Sequence, residues 1–196
     1  YQTFPNDLEA VQRFADALRR GGRADRAAQV AGEALGRFPE DRDLLMTYGL
    51  AQIGASRPHE ALQPLALLAQ ADAQNWRARS ALGAALDQLG RYPEARRAYE
   101  EALALAPENP GVLTNMGVSH IMAGAEPVLR RAAALPRAPV EARQNLAIAL
   151  ALQGRFDEAE QLVRVDVPPA QAAANMNYLR GLLRDNRRWG DLGRAG

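Results

Sequence analysis

Apolar residues recur at helical spacing along most of this chain, and short turns interrupt them. Around its middle, Leu82, Leu86 and Leu89 lie on one predicted helical face, and Gly90 then ends the run. A second helix is predicted to begin at Pro93, because proline is tolerated in the first turn of a helix. Alanine and aromatic residues continue that helix at i, i+4 and i+7. The pattern therefore predicts two antiparallel helices joined by a tight turn.

The same helix–turn–helix pattern recurs along the chain, in most places at an interval of 34 residues. The unit is marked at fixed offsets by Leu82, Gly83, Leu86, Gly90, Ala95, Tyr99, Ala102 and Pro107. Five units are predicted, at residues 8–41, 42–75, 76–109, 110–139 and 140–173. Because one hairpin cannot bury its own apolar face, neighbouring units are expected to stack.

This succession of a Leu-Gly pair, an alanine after the turn, an aromatic residue, a second alanine and a proline resembles the tetratricopeptide (TPR) signature. The resemblance implies an all-α fold, a right-handed TPR superhelix (α-solenoid) of about five helix-turn-helix repeats. Residues 1–185 are expected to form one solenoid domain. A stripe at Ala172, Met176, Leu179 and Leu183 predicts a C-terminal capping helix over 170–184, followed by a flexible tail over 186–196.

Two positions depart from the repeat. The fourth unit is four residues short, and the shortfall lies between Gly124 and Ala125. Either a loop is missing from the sequence as written, or a true deletion shortens the second helix. The other departure is Pro64, which lies several residues inside a predicted helix. Since an interior proline removes a backbone hydrogen bond, a kink or a late helix start is expected there.

Composition excludes several classes of function. The net charge is +1, so the chain has no strong electrostatic field that would attract nucleic acid. All 24 basic residues are arginine. Cysteine is absent, and neither His59 nor His120 has a second ligand at helical spacing, so no metal site is predicted. Without lysine there is no Walker or Schiff-base lysine. We therefore expect neither an enzyme nor a cofactor-binding protein.

In TPR proteins, set positions on the first helix of each repeat line the concave groove. Carrying those positions over predicts a partner-binding site in five groups. The first three units contribute Gln12, Arg13 and Asp16; Met46, Thr47, Leu50 and Ile53; and Arg77, Ser80 and Asp87. The last two contribute Thr114, Asn115, Val118, Ile121 and Met122, and then Gln144, Asn145 and Ile148, with Glu141 and Leu152 also on that face.

Asn115 and Asn145 occupy the same position in their repeats. A side-chain amide both donates and accepts hydrogen bonds, so such a pair suits an extended peptide backbone. The apolar groove residues are expected either to receive apolar side chains of a partner or to contact the next repeat or a terminal segment of the chain. The predicted partner is a protein or peptide segment. Oligomeric state is left open, because TPR end faces can self-associate.

The C-terminal third narrows the resemblance. The stretches Glu141-Ala-Arg-Gln-Asn-Leu-Ala, Gln153-Gly-Arg-Phe-Asp-Glu-Ala and Pro168-Pro-Ala-Gln-Ala-Ala-Ala-Asn-Met-Asn-Tyr resemble TadD-type proteins of bacterial Flp/Tad pilus assembly. This resemblance implies an envelope lipoprotein on the periplasmic side of the outer membrane that aids secretin assembly. No lipid-accepting cysteine is present, which a membrane anchor preceding Tyr1 would explain. The alternative hypothesis is a regulatory or accessory domain of a cytoplasmic complex or of a larger enzyme.

Overall fold

The protein is helical throughout the part of the chain that the structure, a computed structural model, describes: backbone over residues 7–119, 125–136 and 138–192, with side chains to residue 184. Within these ranges there are eleven helices. They are α1 (Leu8–Arg20), α2 (Ala24–Leu35), α3 (Arg42–Gly54), α4 (Pro58–Ala71), α5 (Trp76–Gln88), α6 (Tyr92–Leu105), α7 (Pro110–Ser119), α8 (Glu126–Ala134), α9 (Val140–Leu152), α10 (Phe156–Val163) and α11 (Pro169–Leu192). The predicted all-α TPR fold is confirmed.

The chain divides into two compact units. Unit 1 is Tyr1–Pro107 and contains α1 to α6; unit 2 is Glu108–Gly196 and contains α7 to α11. Inside unit 1 each helix packs on the next, and the first helices of successive repeats (α1, α3 and α5) also lie side by side. Unit 2 is built in the same way, with α9 packed beside both α7 and α11.

Four polar residues set the start of the first helices. Asp7, Asp41, Asn75 and Asn109 follow one another at 34-residue intervals, and each side chain accepts a hydrogen bond from the backbone N–H three residues on. The four distances are 3.1, 2.8, 3.0 and 3.1 Å. These contacts satisfy donors that have no partner inside the helix. The series stops at Pro139, which precedes α9 without a side-chain cap.

Glycine at one repeat position lets the two helices of a repeat approach closely. A Cβ atom built on Gly49 would lie 2.7 Å from the Leu65 side chain, and one on Gly83 would lie 2.7 Å from the Tyr99 ring. Gly117 meets Leu129 in the same manner in unit 2. The glycine at this repeat position therefore corresponds to a contact in which a large residue of the second helix fills the space that glycine leaves.

The turn between the helices of a repeat requires a left-handed residue. Gly22, Gly90 and Gly154 have φ values of 73°, 71° and 82°. At the equivalent turn of the second repeat lies Ser56, a non-glycine residue whose φ is also positive, at 57°. Because L-residues other than glycine are disfavoured in this conformation, Ser56 holds local backbone strain.

Both predicted irregularities fall in or next to described helices. Helix α4 begins at Pro58, so Pro64 lies inside the helix and does not delay its start. In the fourth repeat α8 has 9 residues, against 14 in α4 and α6. Gly124, on one side of the four-residue shortfall, lies outside the described residues.

The predicted capping helix corresponds to α11, which begins at Pro169 and continues to Leu192. Residues 186–192 of the predicted tail are therefore helical. Ala172 and Met176 are buried in the core of unit 2, with Leu179 packed against it. The Arg180 guanidinium lies 4.6 Å from the centre of the Phe156 ring, a cation–π distance that fixes α11 against α10.

Candidate functional site

In unit 1 the polar residues predicted for the groove are bound within the unit. Gln12 Nε2 donates to Asp41 Oδ1 at 2.8 Å, which joins α1 to the start of α3. Arg13 pairs with Glu9 on its own helix. Asp16 accepts from Arg19 and Arg20, each at 2.7 Å. All three side chains therefore already have hydrogen-bond or ion-pair partners inside unit 1.

The remaining predicted residues of unit 1 are partly or fully covered. Met46, Leu50 and Ile53 are half-buried and pack against the core that α4 forms with α5. Thr47 and Ser80 are buried. Arg77 is exposed, with its guanidinium 5.4 Å from the centre of the Trp76 ring. These three apolar side chains of unit 1 thus contact the next repeat, which is one of the alternatives stated for them from the sequence.

Asp87 lies near the end of α5 and accepts a hydrogen bond from Tyr99 Oη at 2.9 Å. Tyr99 is buried, and its burial together with the adjacent Asp87 carboxylate raises the pKa of the phenol far above its ordinary value. This predicted groove residue therefore also holds the two helices of the third repeat together.

In unit 2 most of the predicted residues face solvent. Asn115, Val118, Gln144 and Ile148 are exposed, and Asn145 is half-buried. Thr114 is buried, and its hydroxyl donates to the Pro110 carbonyl at 2.7 Å. Ile121, Met122 and His120 lie outside the described residues. The described first helices of unit 2 thus present amide and apolar side chains to solvent.

Helix α11 adds residues that the sequence reasoning missed. From α7 onward the first helices recur at an interval of 30 residues, which places buried Val112, Ala142 and Ala172 in register. In this register Asn175 follows Asn115 and Asn145, and exposed Tyr178 follows Val118 and Ile148. Exposed Leu182 likewise follows Leu152. The 30-residue spacing of these residues is visible in the sequence. It was missed because a 34-residue interval was assumed and α11 was predicted to be only a capping helix.

We call these eight residues the binding face of unit 2. On α9 and α11 they follow the helical spacing i, i+3, i+7, so each helix contributes one stripe. The binding face consists of Asn115 and Val118 on α7, Asn145, Ile148 and Leu152 on α9, and Asn175, Tyr178 and Leu182 on α11. The adjacent packing of α7, α9 and α11 brings the three stripes together.

The binding face carries no charged side chain, although a quarter of the chain is charged. Glu141 lies one helical turn before Asn145, at the edge of the binding face. Elsewhere in unit 2 opposite charges pair: Arg155 Nη1 lies 2.6 Å from Glu126 Oε2, and Arg143 Nη2 lies 2.5 Å from Asp166 Oδ1. Hydrogen bonds from Arg130 and Arg155 lower the pKa of Glu126, and hydrogen bonding from Arg143 lowers the pKa of Asp166.

Such a face can bind an extended backbone and apolar side chains together. Three amides in a row offer alternating donors and acceptors to a peptide chain. Exposed aliphatic and aromatic side chains beside them gain free energy when a partner covers them. Among the described residues no cluster of three or more His, Cys, Asp or Glu side chains could hold a metal ion. None of the described helices is both long and apolar enough to cross a bilayer.

Known proteins share this architecture. The chain is 32% identical over 123 residues to the TPR repeat-containing protein PA4667 of Pseudomonas aeruginosa, a match that covers 60% of this chain and 21% of that protein. The chain therefore spans about a fifth of the length of the curated relative it matches.

Three solved structures are similar in fold. The TPR protein TTC0263 of Thermus thermophilus superposes with a TM-score of 0.73 at 22% identity, over 90% of this chain and 97% of that one. The pilF protein of Pseudomonas aeruginosa gives 0.68 at 19% identity, over 95% and 89%. A crystal structure of MamA gives 0.62 at 20% identity, over 82% and 96%.

Models of the tetratricopeptide repeat family match residues 13–75, 76–109 and 140–164, which together exceed half of the chain. The matches agree with the repeat spacing, the helix pairs and the glycine contacts described above. Repeats of this family act as scaffolds for protein–protein interaction, and no enzyme family is among the matches. The chain belongs to the tetratricopeptide repeat family.

Proposed function

We propose that this chain is a noncatalytic adaptor that binds an extended protein segment on the binding face of unit 2. The observation that carries this proposal is the row of Asn115, Asn145 and Asn175 on three neighbouring helices. The amides bind the backbone of the partner, which tolerates varied sequences. Val118, Ile148 and Tyr178 select for apolar side chains.

The biological setting we propose is assembly of a Flp/Tad pilus or a related secretion system. Support comes from the sequence resemblance to TadD-type proteins, which covers the same helices, α9 to α11, that provide most of the binding face. The partner would then be a secretin or another pilus-assembly component, and the location the periplasmic side of the outer membrane. The similarity to pilF, at 19% identity, supports the fold alone.

The experiment is affinity purification from envelope extract of the native host with a matched pair of variants. The triple variant Asn115→Ala/Asn145→Ala/Asn175→Ala should lose a secretin or pilus-assembly partner that the wild type retains. The control, Asn177→Ala, alters an exposed amide of α11 that lies outside the stripe and should retain it. Equal recovery of every partner by the wild type and the triple variant would contradict binding at this face.

A second candidate function is that of an accessory domain of a larger protein. The observation in its favour is that the match covers 21% of the curated relative, so that relative is about five times as long as the matched segment. In this case the binding face would hold a segment of the same polypeptide or of a cytoplasmic partner. Recovery of cytoplasmic partners alone would favour this function over pilus assembly.

A further inference from the structure

A separate cavity lies in unit 1, between the second helices of the first two repeats. Residues of helices α2, α3 and α4 line it. Its volume is about 320 Å³, and its main lining side chains are Leu35, Leu45, Tyr48, Glu60, Pro64 and Leu67. This volume is at the lower end of the roughly 300–1,000 Å³ typical of small-ligand sites. The cavity can therefore hold one ring-sized apolar group.

The next repeat has an ion pair at the equivalent positions. Moving 34 residues along the chain replaces Leu45 by Arg79 and Leu67 by Glu101. Arg79 Nε lies 3.5 Å from Glu101 Oε2. In place of this pair, the second repeat has two leucines, and Leu67 is 49% exposed at the cavity. Burial of this surface by a ligand would be favourable.

Glu60 gives the cavity a free negative charge. Its counterpart in the next repeat, Glu94, is bound by Arg91, whose Nη2 lies 2.6 Å from Glu94 Oε2. The residue equivalent to Arg91 is Arg57, but Arg57 instead contacts Asp25 at 2.6 Å and Gln52 at 2.7 Å. Among the described residues, Glu60 therefore has no ion-pair partner. The Arg91–Glu94 pair demonstrates that a cation fits beside an acid at this repeat position.

Pro64 adds a backbone acceptor at the same place. Proline has no N–H, so the carbonyl four residues earlier, that of Glu60, receives no α-helical hydrogen bond from it. The next repeat has Ala98 at this position, which retains its N–H. Glu60 thus combines a carboxylate without an ion-pair partner among the described residues with a carbonyl that lacks a hydrogen bond from residue 64, and the exposed carboxylate favours a cationic ligand.

We propose that this cavity binds an aromatic side chain of a partner protein that carries a Lys or Arg residue next to it. The ring packs on Leu35, Leu45, Tyr48 and Leu67, and the neighbouring cation pairs with Glu60. This site uses unit 1 alone, so it is independent of the proposed binding face on α7, α9 and α11. It would give the protein a second point of attachment with a different chemistry.

The test uses blocked dipeptides as probes, with methyl NMR of leucine-labelled protein as the readout. Acetyl-Trp-Lys-amide should give saturable shifts at the methyl groups of Leu35, Leu45 and Leu67. Acetyl-Trp-Glu-amide should bind about fivefold more weakly, a factor set by one exposed ion pair. Acetyl-Ala-Lys-amide should give no saturable shift. The variant Glu60→Gln should reduce the difference between the two Trp peptides to within about twofold.

The closing variant copies the next repeat. Leu45→Arg/Leu67→Glu installs the pair found at Arg79 and Glu101 and should abolish the Trp-Lys response. Leu67→Glu alone changes a half-exposed side chain, so it keeps the test valid if the double variant does not fold. No saturable shift with Trp-Lys in the wild type would overturn the proposal. Equal binding of the Trp-Lys and Trp-Glu peptides, or an unchanged response in folded Leu67→Glu protein, would overturn it as well.

Discussion

The Tyr99 hydroxyl donates a hydrogen bond to Asp87 Oδ2 across 2.9 Å, and in this way it joins the second helix of the third repeat to the end of the first. The ring of the same Tyr99 fills the space above Gly83. One side chain therefore makes both the packing contact and the polar contact of this helix pair. We expect both contacts to be measurable separately.

Tyr99→Phe should lower the free energy of unfolding by about 2 kcal/mol near pH 8, since it removes a partly buried hydrogen bond to a carboxylate. The folded-state pKa of Tyr99 is raised, so its stabilising contribution is full below the unfolded value of about 10 and declines as pH rises beyond it. Above pH 10 the wild type should lose about 1.4 kcal/mol per pH unit relative to Tyr99→Phe. Urea unfolding between pH 8 and 11 measures this; a constant difference would contradict the burial argument.

Gly83→Ala should destabilise unit 1 by about 1–3 kcal/mol, because the added Cβ would lie 2.7 Å from the buried Tyr99 ring. Gly181→Ala is the matched control, since a Cβ there has no neighbour within 4 Å. It should leave stability unchanged or raise it by up to about 1 kcal/mol through helix propensity. Thermal unfolding followed by circular dichroism compares them, and equal effects of the two substitutions would refute the close contact.

Ser56→Gly should stabilise the protein by about 1 kcal/mol, because it removes left-handed strain at φ 57°. The reciprocal substitution Gly90→Ser introduces the same residue at φ 71° and should destabilise by a similar amount. Denaturant midpoints of the two variants measure the pair. Changes of the same sign in both would show that turn conformation does not decide the effect.

Asp166→Asn should lower the melting temperature at pH 7, because Arg143 contacts both carboxylate oxygens, at 3.0 and 2.5 Å. Hydrogen bonding lowers the folded-state pKa of Asp166, so its contribution is present above the unfolded value of about 3.9 and is lost as pH falls through the folded value. The melting curves of wild type and variant should therefore converge at acid pH. In an Arg143→Met background Asp166→Asn should have little effect; a persistent difference would exclude this pair as the cause.

Helix α11 offers a test of which residues belong to the core and which to the binding face. Met176→Ala should cost about 2–5 kcal/mol, since Met176 is buried. Tyr178→Ser, two residues further on, alters a side chain that is 68% exposed and should change stability by about 0.5 kcal/mol or less. Urea unfolding of the two variants separates the faces. A large loss in Tyr178→Ser would mean that Tyr178 packs within unit 2 and is not available to a partner.

The sequence predicted the helix pairs well because up to three local signals agree within one repeat: the polar cap, the close-packing glycine and the turn glycine. The third repeat has all three, at Asn75, Gly83 and Gly90. Gly83 and Gly90 lie at fixed offsets in the repeat, so these signals can be recognised from spacing alone. The end of the array was harder, since the interval changes from 34 to 30 residues where the first helix begins at Val140 without a side-chain cap.

The candidate site was predictable only in part because exposure depends on neighbours. The spacing placed Leu50 and Ile148 at corresponding positions, yet Leu50 packs against the core of α4 and α5 while Ile148 is 38% exposed. Similarly, the repeat pattern does not indicate that Arg57 pairs with Asp25 and leaves Glu60 without an ion-pair partner among the described residues. Such side-chain choices require the three-dimensional arrangement of the preceding repeat.

Among the described helices of each unit, every helix packs on the next one along the chain, and the first helices of successive repeats also pack on each other. The mean sequence separation of contacting residues is therefore small, and small separations are associated with rapid folding. Any hairpin can act as a nucleus, and growth proceeds by addition of a neighbour. Amide hydrogen exchange should accordingly be slowest in the middle hairpin of a unit and fastest at its outermost helices, so that the protein frays from its ends before it melts.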